Sequence, residues 1–204
     1  MKELAPAVCM WSEYYLEAEA LLDKIKLVGD KDPSYSPWRR SMVYGMSNTN
    51  KTRGILESEK RTSVEMNFAP FIGKNAKRLD DPDALALKDH LLDLHNQVEI
   101  LLQNYKSAFR LILKKSEMMN CLRYENKTEF QLHADANSQN MRQLTLLVYL
   151  NDDYVGGELE IPLFKVKVKP PAGSIILMPS SFPYSHTALP VEEGTKYVIV
   201  NWYS

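Results

Sequence analysis

The stretch MMNCLRYENKTEFQLHADANSQNMRQLTLLVYL, residues 118–150, decides the fold. Upstream of about residue 115, apolar residues recur at spacings of three and four. From here the period drops to two, so successive side chains face opposite sides of a strand. Met118–Tyr124 and Glu129–His133 read as short strands, and Gln143–Leu150 as a longer one rich in Leu, with Val and Tyr. The pattern continues downstream in Glu158–Ile161, Lys165–Lys169, Ser174–Met178, Tyr184–Ala188 and Thr195–Tyr203. Turns at Asp152, Asp153 and Gly156-Gly157, and at Pro170-Pro171-Ala172-Gly173, separate them. About eight short strands in the last 90 residues predict a barrel or sandwich. The alternating KVKVK run, Lys165–Lys169, reads as an edge strand protected by lysine rather than a phosphate-binding stripe.

Two helical segments precede this region, and an α+β arrangement in which they cover one sheet is expected. Trp11, Tyr15, Ala18, Leu22 and Ile25 predict a helix over 8–27, stopped by Gly29. Asp81-Pro82-Asp83 opens a second helix, with Pro in the first turn and acids suited to the dipole. Its stripe runs Ala84, Leu87, Leu91, Leu94, Val98, Leu101 and Tyr105. Leu85, Leu92, Ile100 and Leu102 widen it beyond a coiled-coil seam, which favours a helix lying across a sheet. Between the helices, residues 30–77 are irregular. Their aromatics, Tyr35, Trp38, Tyr44, Phe68 and Phe71, either line a binding groove or pin the segment to the body.

Within the opening stretch lies His133-Ala134-Asp135. On a strand, an imidazole and a carboxylate two residues apart face the same side. With His186 as a third donor they would form a facial triad of two His and one carboxylate, which holds iron(II) and leaves coordination positions open. The other histidines, His90 and His95, are five apart on a helix, so they do not share a ligating face and read as surface or core-edge residues. Lys196 lies in the apolar strand TKYVIVNWY. Either it opens that strand at its solvent end, or it is buried and needs an anionic partner.

His133-x-Asp135, then His186, then a basic residue ten positions later resembles the iron(II)- and 2-oxoglutarate-dependent oxygenases, most nearly their prolyl 4-hydroxylase branch. The order continues through Tyr149-Leu150-Asn151, Gly156-Gly157-Glu158-Leu159, Pro171-x-Gly173, Ser185-His186 and Trp202. Lysine at the last basic position is similar to the collagen-type prolyl hydroxylases. The resemblance implies a double-stranded β-helix (jelly-roll) core over 116–204. Residues 1–115 would be helical support and substrate loops, with 1–204 one oxygenase domain. It implies His133, Asp135 and His186 as metal ligands and Lys196 on the distal carboxylate of 2-oxoglutarate. Tyr149 and Thr145 would be its hydrogen-bonding neighbours, Tyr124 would face it and Trp202 would form an apolar wall. Arg142 sits where some relatives touch the protein substrate, and Trp38 and Tyr35 are further candidates to line that groove. The implied cofactors are iron(II), 2-oxoglutarate and dioxygen, with ascorbate. Glu125-Asn126-Lys127-Thr128 departs from the Pro-Gly common in relatives.

Hydroxylation of prolyl residues in a peptide or protein is therefore expected. The alternatives are a same-fold oxygenase acting on another side chain, a nucleobase or a small molecule, and a non-catalytic jelly-roll binding module. A net charge of -1 disfavours nucleic acid and anionic membrane as partners. No apolar run approaches the roughly 20 residues of a membrane span. The N-terminal MKELAPAVCMWSEYY is too broken by Glu and Pro for a signal peptide. A cytoplasmic protein is expected, with Cys9 and Cys121 as buried thiols.

Overall fold

The computed structural model describes residues 1–31, 37–41, 43–44, 55–56, 60–74, 76, 81–138 and 141–204. An N-terminal hairpin, β1 (Lys2–Ala5) and β2 (Val8–Trp11), leads into α1 (Ala18–Asp30). Four short strands follow: β3 (Arg39–Arg40), β4 (Val43–Tyr44), β5 (Ile55–Leu56) and β6 (Val64–Asn67). Next come the single turn α2 (Ala69–Ile72) and the long α3 (Pro82–Phe109). The β region comprises β7 (Asn120–Glu125), β8 (Phe130–His133), β9 (Leu144–Tyr149), β10 (Val155–Gly156) and β11 (Leu159–Ile161), then β12 (Val166–Val168), β13 (Ile175–Pro179), β14 (His186–Ala188), β15 (Val191–Glu193) and β16 (Thr195–Tyr203).

Eight strands form a large antiparallel sheet in the order β1-β2-β13-β9-β16-β7-β6-β3. Four form a smaller one, β12-β11-β14-β8, in which the lysine-bearing β12 is an edge strand. β16 is the spine of the large sheet. It pairs with β7 from Thr195↔Glu125 to Val200↔Asn120 and with β9 from Val198↔Tyr149 to Tyr203↔Leu144. Its alternation sorts the interior into two cores. Tyr197, Ile199 and Tyr203 join one buried cluster with Leu21 and Ile25 of α1, Leu87, Leu91 and Leu94 of α3, and Leu146 and Val148 of β9. Val198, Val200 and Trp202 face a second cluster with Leu122, Tyr149, Leu159 and Ile161, which lies between the two sheets. This is the mostly antiparallel, few-helix architecture of a jelly-roll. Among the described residues no helix is long and apolar enough to cross a membrane.

α3 starts as its sequence predicts. The Asp81 carboxylate accepts from the Asp83 N–H, Pro82 occupies the first turn, and Arg110 ends the helix with φ 53°. The stripe from Ala84 to Tyr105 is buried, as is Leu102, whereas Leu85, Leu92 and Ile100 are exposed. His90 is half-buried and His95 exposed.

The N-terminus differs from the helix expected over 8–27. Val8–Trp11 is a strand that pairs with β13, Ile175↔Trp11 to Leu177↔Cys9, and turns back on β1 through Ala7 at φ 59°. Four consecutive apolar residues suit a sheet strand buried on both faces, and this pairing outweighs the helical spacing. The helix starts later and runs through Gly29. A Cβ on Gly29 would collide with the Trp38 indole and the Met66 methyl, so glycine here permits close packing rather than a stop. The sheet is also not confined to 116–204: β1, β2, β3 and β6 come from the first 115 residues. Cys9 and Cys121 are buried free thiols.

Candidate metal centre

β8 and β14 pair with His133 directly opposite His186, and this register brings the two imidazoles together. Their ring centroids are 4.4 Å apart. Asp135 is not on the strand as expected; it lies in a bend two residues past His133. The Ala136 N–H donates to the Ser180 carbonyl (2.9 Å) and anchors that bend to the end of β13. The Asp135 carboxylate lies 3.5 Å from His133 Nε2 through Oδ1 and 3.8 Å from His186 Nε2 through Oδ2. One ligand atom from each of the three side chains lies within 4.8 Å of the others, and among the described residues this is the one such cluster of three or more His, Cys, Asp or Glu.

The donor set suits a divalent metal. His133 Nδ1 lies 2.8 Å from the Gln131 carbonyl and His186 Nδ1 lies 3.1 Å from the Tyr184 carbonyl. A carbonyl only accepts, so each Nδ1 carries the proton and each Nε2 keeps its lone pair for a metal ion. Burial and the neighbouring His133 push the His186 imidazole down to about 4, so it is neutral at physiological pH. Burial alone would raise the Asp135 carboxyl. The flanking His133 and His186 side chains, in the state in which they carry a second proton, and the Thr145 hydroxyl outweigh it and hold the group well below the usual carboxylate range.

Thr145, expected beside the cosubstrate, belongs instead to this cluster. Its hydroxyl donates to Asp135 Oδ2 at 2.6 Å and lies 2.8 Å from Ser180 Oγ. Pairing of Met178 with Thr145 across β13 and β9 brings these side chains together.

A cavity between the sheets extends from the three ligand atoms. Lys196, Tyr124, Tyr149, Trp202, Arg61 and Phe130 are among the residues that line it, with Leu122, Leu147, Leu159, Val198 and Val200. Lys196 is 2% exposed, which rules out the reading in which it opens β16 at the solvent end. It pairs across the sheet with Tyr124. Its ammonium donates to the Gly157 carbonyl (2.6 Å) and lies 5.2, 5.3 and 6.0 Å from the ring centres of Tyr124, Tyr149 and Tyr154. Burial pushes Lys196 down to about 7. Among the described residues no carboxylate forms an ion pair with it. The Trp202 indole N–H is also buried without an acceptor. A buried cation and an orphaned donor in one cavity fit an anionic, oxygen-rich ligand.

The other candidates are distributed differently. Arg142 grips Glu117 through two hydrogen bonds of 2.7 Å, stacks 3.7 Å over the Trp202 ring and reaches the Asp135 carbonyl at 3.5 Å. Its guanidinium is thus committed to holding the cavity wall. Trp38 does not line the cavity. It packs on the helix side of the sheet, 6.2 Å from Tyr197 and 4.7 Å from the Arg123 guanidinium, where it pins its segment to the body. Phe68 and Phe71 are buried in the same core. Tyr35 lies outside the described residues. Arg61 was not anticipated. It sits in the irregular 30–77 region, where no periodicity marks a buried cation.

Residues 119–204 match the 2OG-Fe(II) oxygenase superfamily. Among curated protein sequences, none matches the chain. Solved structures with the same fold include a viral collagen prolyl hydroxylase from Paramecium Bursaria Chlorella virus-1 in its 2OG complex, with TM-score 0.62 and 19% identity over 97% of this chain and 95% of that one. A prolyl hydroxylase from Trichoplax adhaerens, in complex with a hypoxia inducible factor oxygen degradation domain peptide fragment, gives TM-score 0.69 and 15% identity, covering 97% and 83%. A Pseudomonas putida prolyl-4-hydroxylase gives 0.65 and 14%, covering 97% and 91%.

Proposed function

We propose that this chain, whose residues 119–204 match the 2OG-Fe(II) oxygenase superfamily, is an iron(II)- and 2-oxoglutarate-dependent dioxygenase that hydroxylates prolyl residues in a peptide or protein. The observation that carries the reading is one cavity holding both a His133–Asp135–His186 ligand cluster and the buried ammonium of Lys196. A metal site alone fits many chemistries; a desolvated cation beside it selects a cosubstrate that chelates at one end and carries a carboxylate at the other. The solved structures of the same fold include prolyl hydroxylases, one with 2OG and one with a peptide fragment, which supports the cosubstrate and a peptide target.

In this reading His133 and His186 hold iron(II) through Nε2, and Asp135 holds it through a carboxylate oxygen. Iron(II) with 2-oxoglutarate and dioxygen supplies the oxidation of an unactivated C–H bond, coupled to loss of carbon dioxide and release of succinate. The chain's own work is to bind, orient and exclude water. Thr145 and Ser180 fix Asp135, and the Gln131 and Tyr184 carbonyls fix the two imidazoles. Lys196 would pair with the distal carboxylate of the cosubstrate, beside the rings of Tyr124 and Tyr149. Trp202, pressed in place by Arg142, supplies an apolar wall and a free N–H. α1 and α3 share a core with β9 and β16 on the other face of the large sheet, which supports reading the chain as one domain.

The test is to incubate iron-loaded protein with labelled 2-oxoglutarate, oxygen and proline-rich peptides. Peptide-stimulated succinate and a peptide heavier by one oxygen on proline, both abolished in His133→Ala, are expected. Iron and 2-oxoglutarate binding without turnover of any prolyl peptide would overturn the prolyl assignment, and absence of iron binding would overturn the whole reading.

A further inference from the structure

Phe130 and His133 are three residues apart on β8, and on a regular strand they would face opposite sides. They do not, because the pairing with β14 is irregular there. His186–Ala188 spans two steps opposite the three steps of His133–Phe130, so β8 carries a bulge. The bulge turns both rings to one side, where they stack with centroids 3.4 Å apart and planes at 14°.

Arg61 lies over the same phenyl ring, its Cζ 4.9 Å from the centre. It is 7% exposed and held from several directions. Lys60–Thr62 docks beside β8 through a single antiparallel bridge of Arg61 to Phe130: the Gln131 N–H donates to the Lys60 carbonyl (2.8 Å), and the Thr62 N–H donates to the Glu129 carbonyl (3.1 Å). The Glu129 N–H donates to Thr62 Oγ1 at 2.9 Å, and Glu65 lies 3.4 Å from the guanidinium.

We propose that Arg61 is a positioning residue for the metal centre, acting through Phe130 to hold the His133 imidazole in its ligating orientation. The inference rests on the triad being a metal site. The hydrogen bond from His133 Nδ1 to Gln131 sets the tautomer but leaves the ring free to turn about that contact; a face-on partner fixes its plane. His133 has most need of this, since its side chain is 17% exposed against 8% for His186 and 5% for Asp135. A cation over the phenyl ring is attracted by the ring's quadrupole, and burial keeps that attraction unscreened. Arg61 comes from the 30–77 region, so this contact ties the segment upstream of α3 to the first candidate metal ligand.

The test is a double-mutant cycle on the full chain, read as Mn(II) affinity by calorimetry, with circular dichroism confirming that each variant is folded. Arg61→Met and Phe130→Leu are each expected to weaken Mn(II) binding about tenfold, as loss of a ligand's support does. The double variant is expected to bind no more weakly than Phe130→Leu alone, as an effect carried through Phe130 requires. If Arg61→Met does not fold, Arg61→Lys replaces it, with a smaller loss that again vanishes in the Phe130→Leu background. Unchanged affinity in the single variants, or losses that multiply in the double, would overturn the proposal. A wild-type protein that binds no Mn(II) would instead overturn the metal-site reading beneath it.

Discussion

Replacing Lys196 by Met is expected to move stability and cosubstrate affinity in opposite directions. The ammonium is 2% exposed and its pKa is pushed from 10.5 down to about 7 by burial. Because the folded pKa lies below the unfolded one, the unfolded chain binds more protons between pH 7 and 10.5, so stability of the ligand-free protein rises with pH across that window. At pH 7 the lysine costs the ligand-free fold about 4 kcal/mol, at roughly 1.4 kcal/mol per pKa unit. Methionine removes that cost. It also loses the hydrogen bond to the Gly157 carbonyl, worth about 1 kcal/mol, and the attraction of the tyrosine rings, worth about 1 kcal/mol more. The net expectation is a gain of roughly 2 kcal/mol, or about 6 °C in unfolding midpoint for a chain of this size. Loss of a buried charge partner should cost 2-oxoglutarate about 3 kcal/mol, a weakening of roughly 100-fold. Binding of 2-oxoglutarate to the wild type at pH 8 should also take up a proton, since a carboxylate restores the lysine's charge. Calorimetry of the Mn(II)-loaded protein in buffers of different ionisation enthalpy, with thermal unfolding of both proteins, measures all three. A destabilised Lys196→Met would show that burial does not penalise the ammonium, and one that binds 2-oxoglutarate as tightly as wild type would show that Lys196 does not hold the cosubstrate.

Thr145→Val, which removes the hydroxyl from Asp135 and Ser180, should weaken Mn(II) binding about tenfold while 2-oxoglutarate affinity of the metal-saturated protein stays within about twofold; the reverse pattern would return Thr145 to the cosubstrate. The metal-free protein should lose about 3 kcal/mol as pH falls from 6.5 to 4, because His186 stays neutral in the fold down to about 4 while the unfolded chain protonates near 6.5. Denaturant titration across that range measures the slope, and an unchanged slope in His186→Gln would remove His186 as its source. Gly173→Ala should destabilise by about 2 kcal/mol, since Gly173 holds φ 75° and a Cβ there would lie 2.5 Å from the Tyr15 carbonyl oxygen. A midpoint within a degree of wild type would show that the turn relaxes.

What the sequence made legible, and what it hid, follows from how far each signal reaches along the chain. Strand alternation is local, so β16 is readable to its ends and the sorting of Lys196, Val198, Val200 and Trp202 onto one face needs no partner strand. Register is not local. That His186 lands opposite His133, and Met178 opposite Thr145, depends on pairings between distant strands. The ligand set could therefore be named from residue types and order, whereas the role of Thr145 could not. Val8–Trp11 fails for a related reason. Four apolar residues carry no period, and the helical spacing of Trp11, Tyr15 and Ala18 supplied a false one; only the pairing with β13 decides between them. Arg61 is the extreme case. Its charge, in an irregular stretch, reads as exposed, whereas two backbone hydrogen bonds beside it, with Glu129 and Gln131, dock it against β8 and leave no trace in its own neighbours. The two cations of the cavity were thus unequally visible. Lys196 stands out because an apolar strand surrounds it in sequence, and Arg61 is silent because its apolar surroundings are assembled only in space.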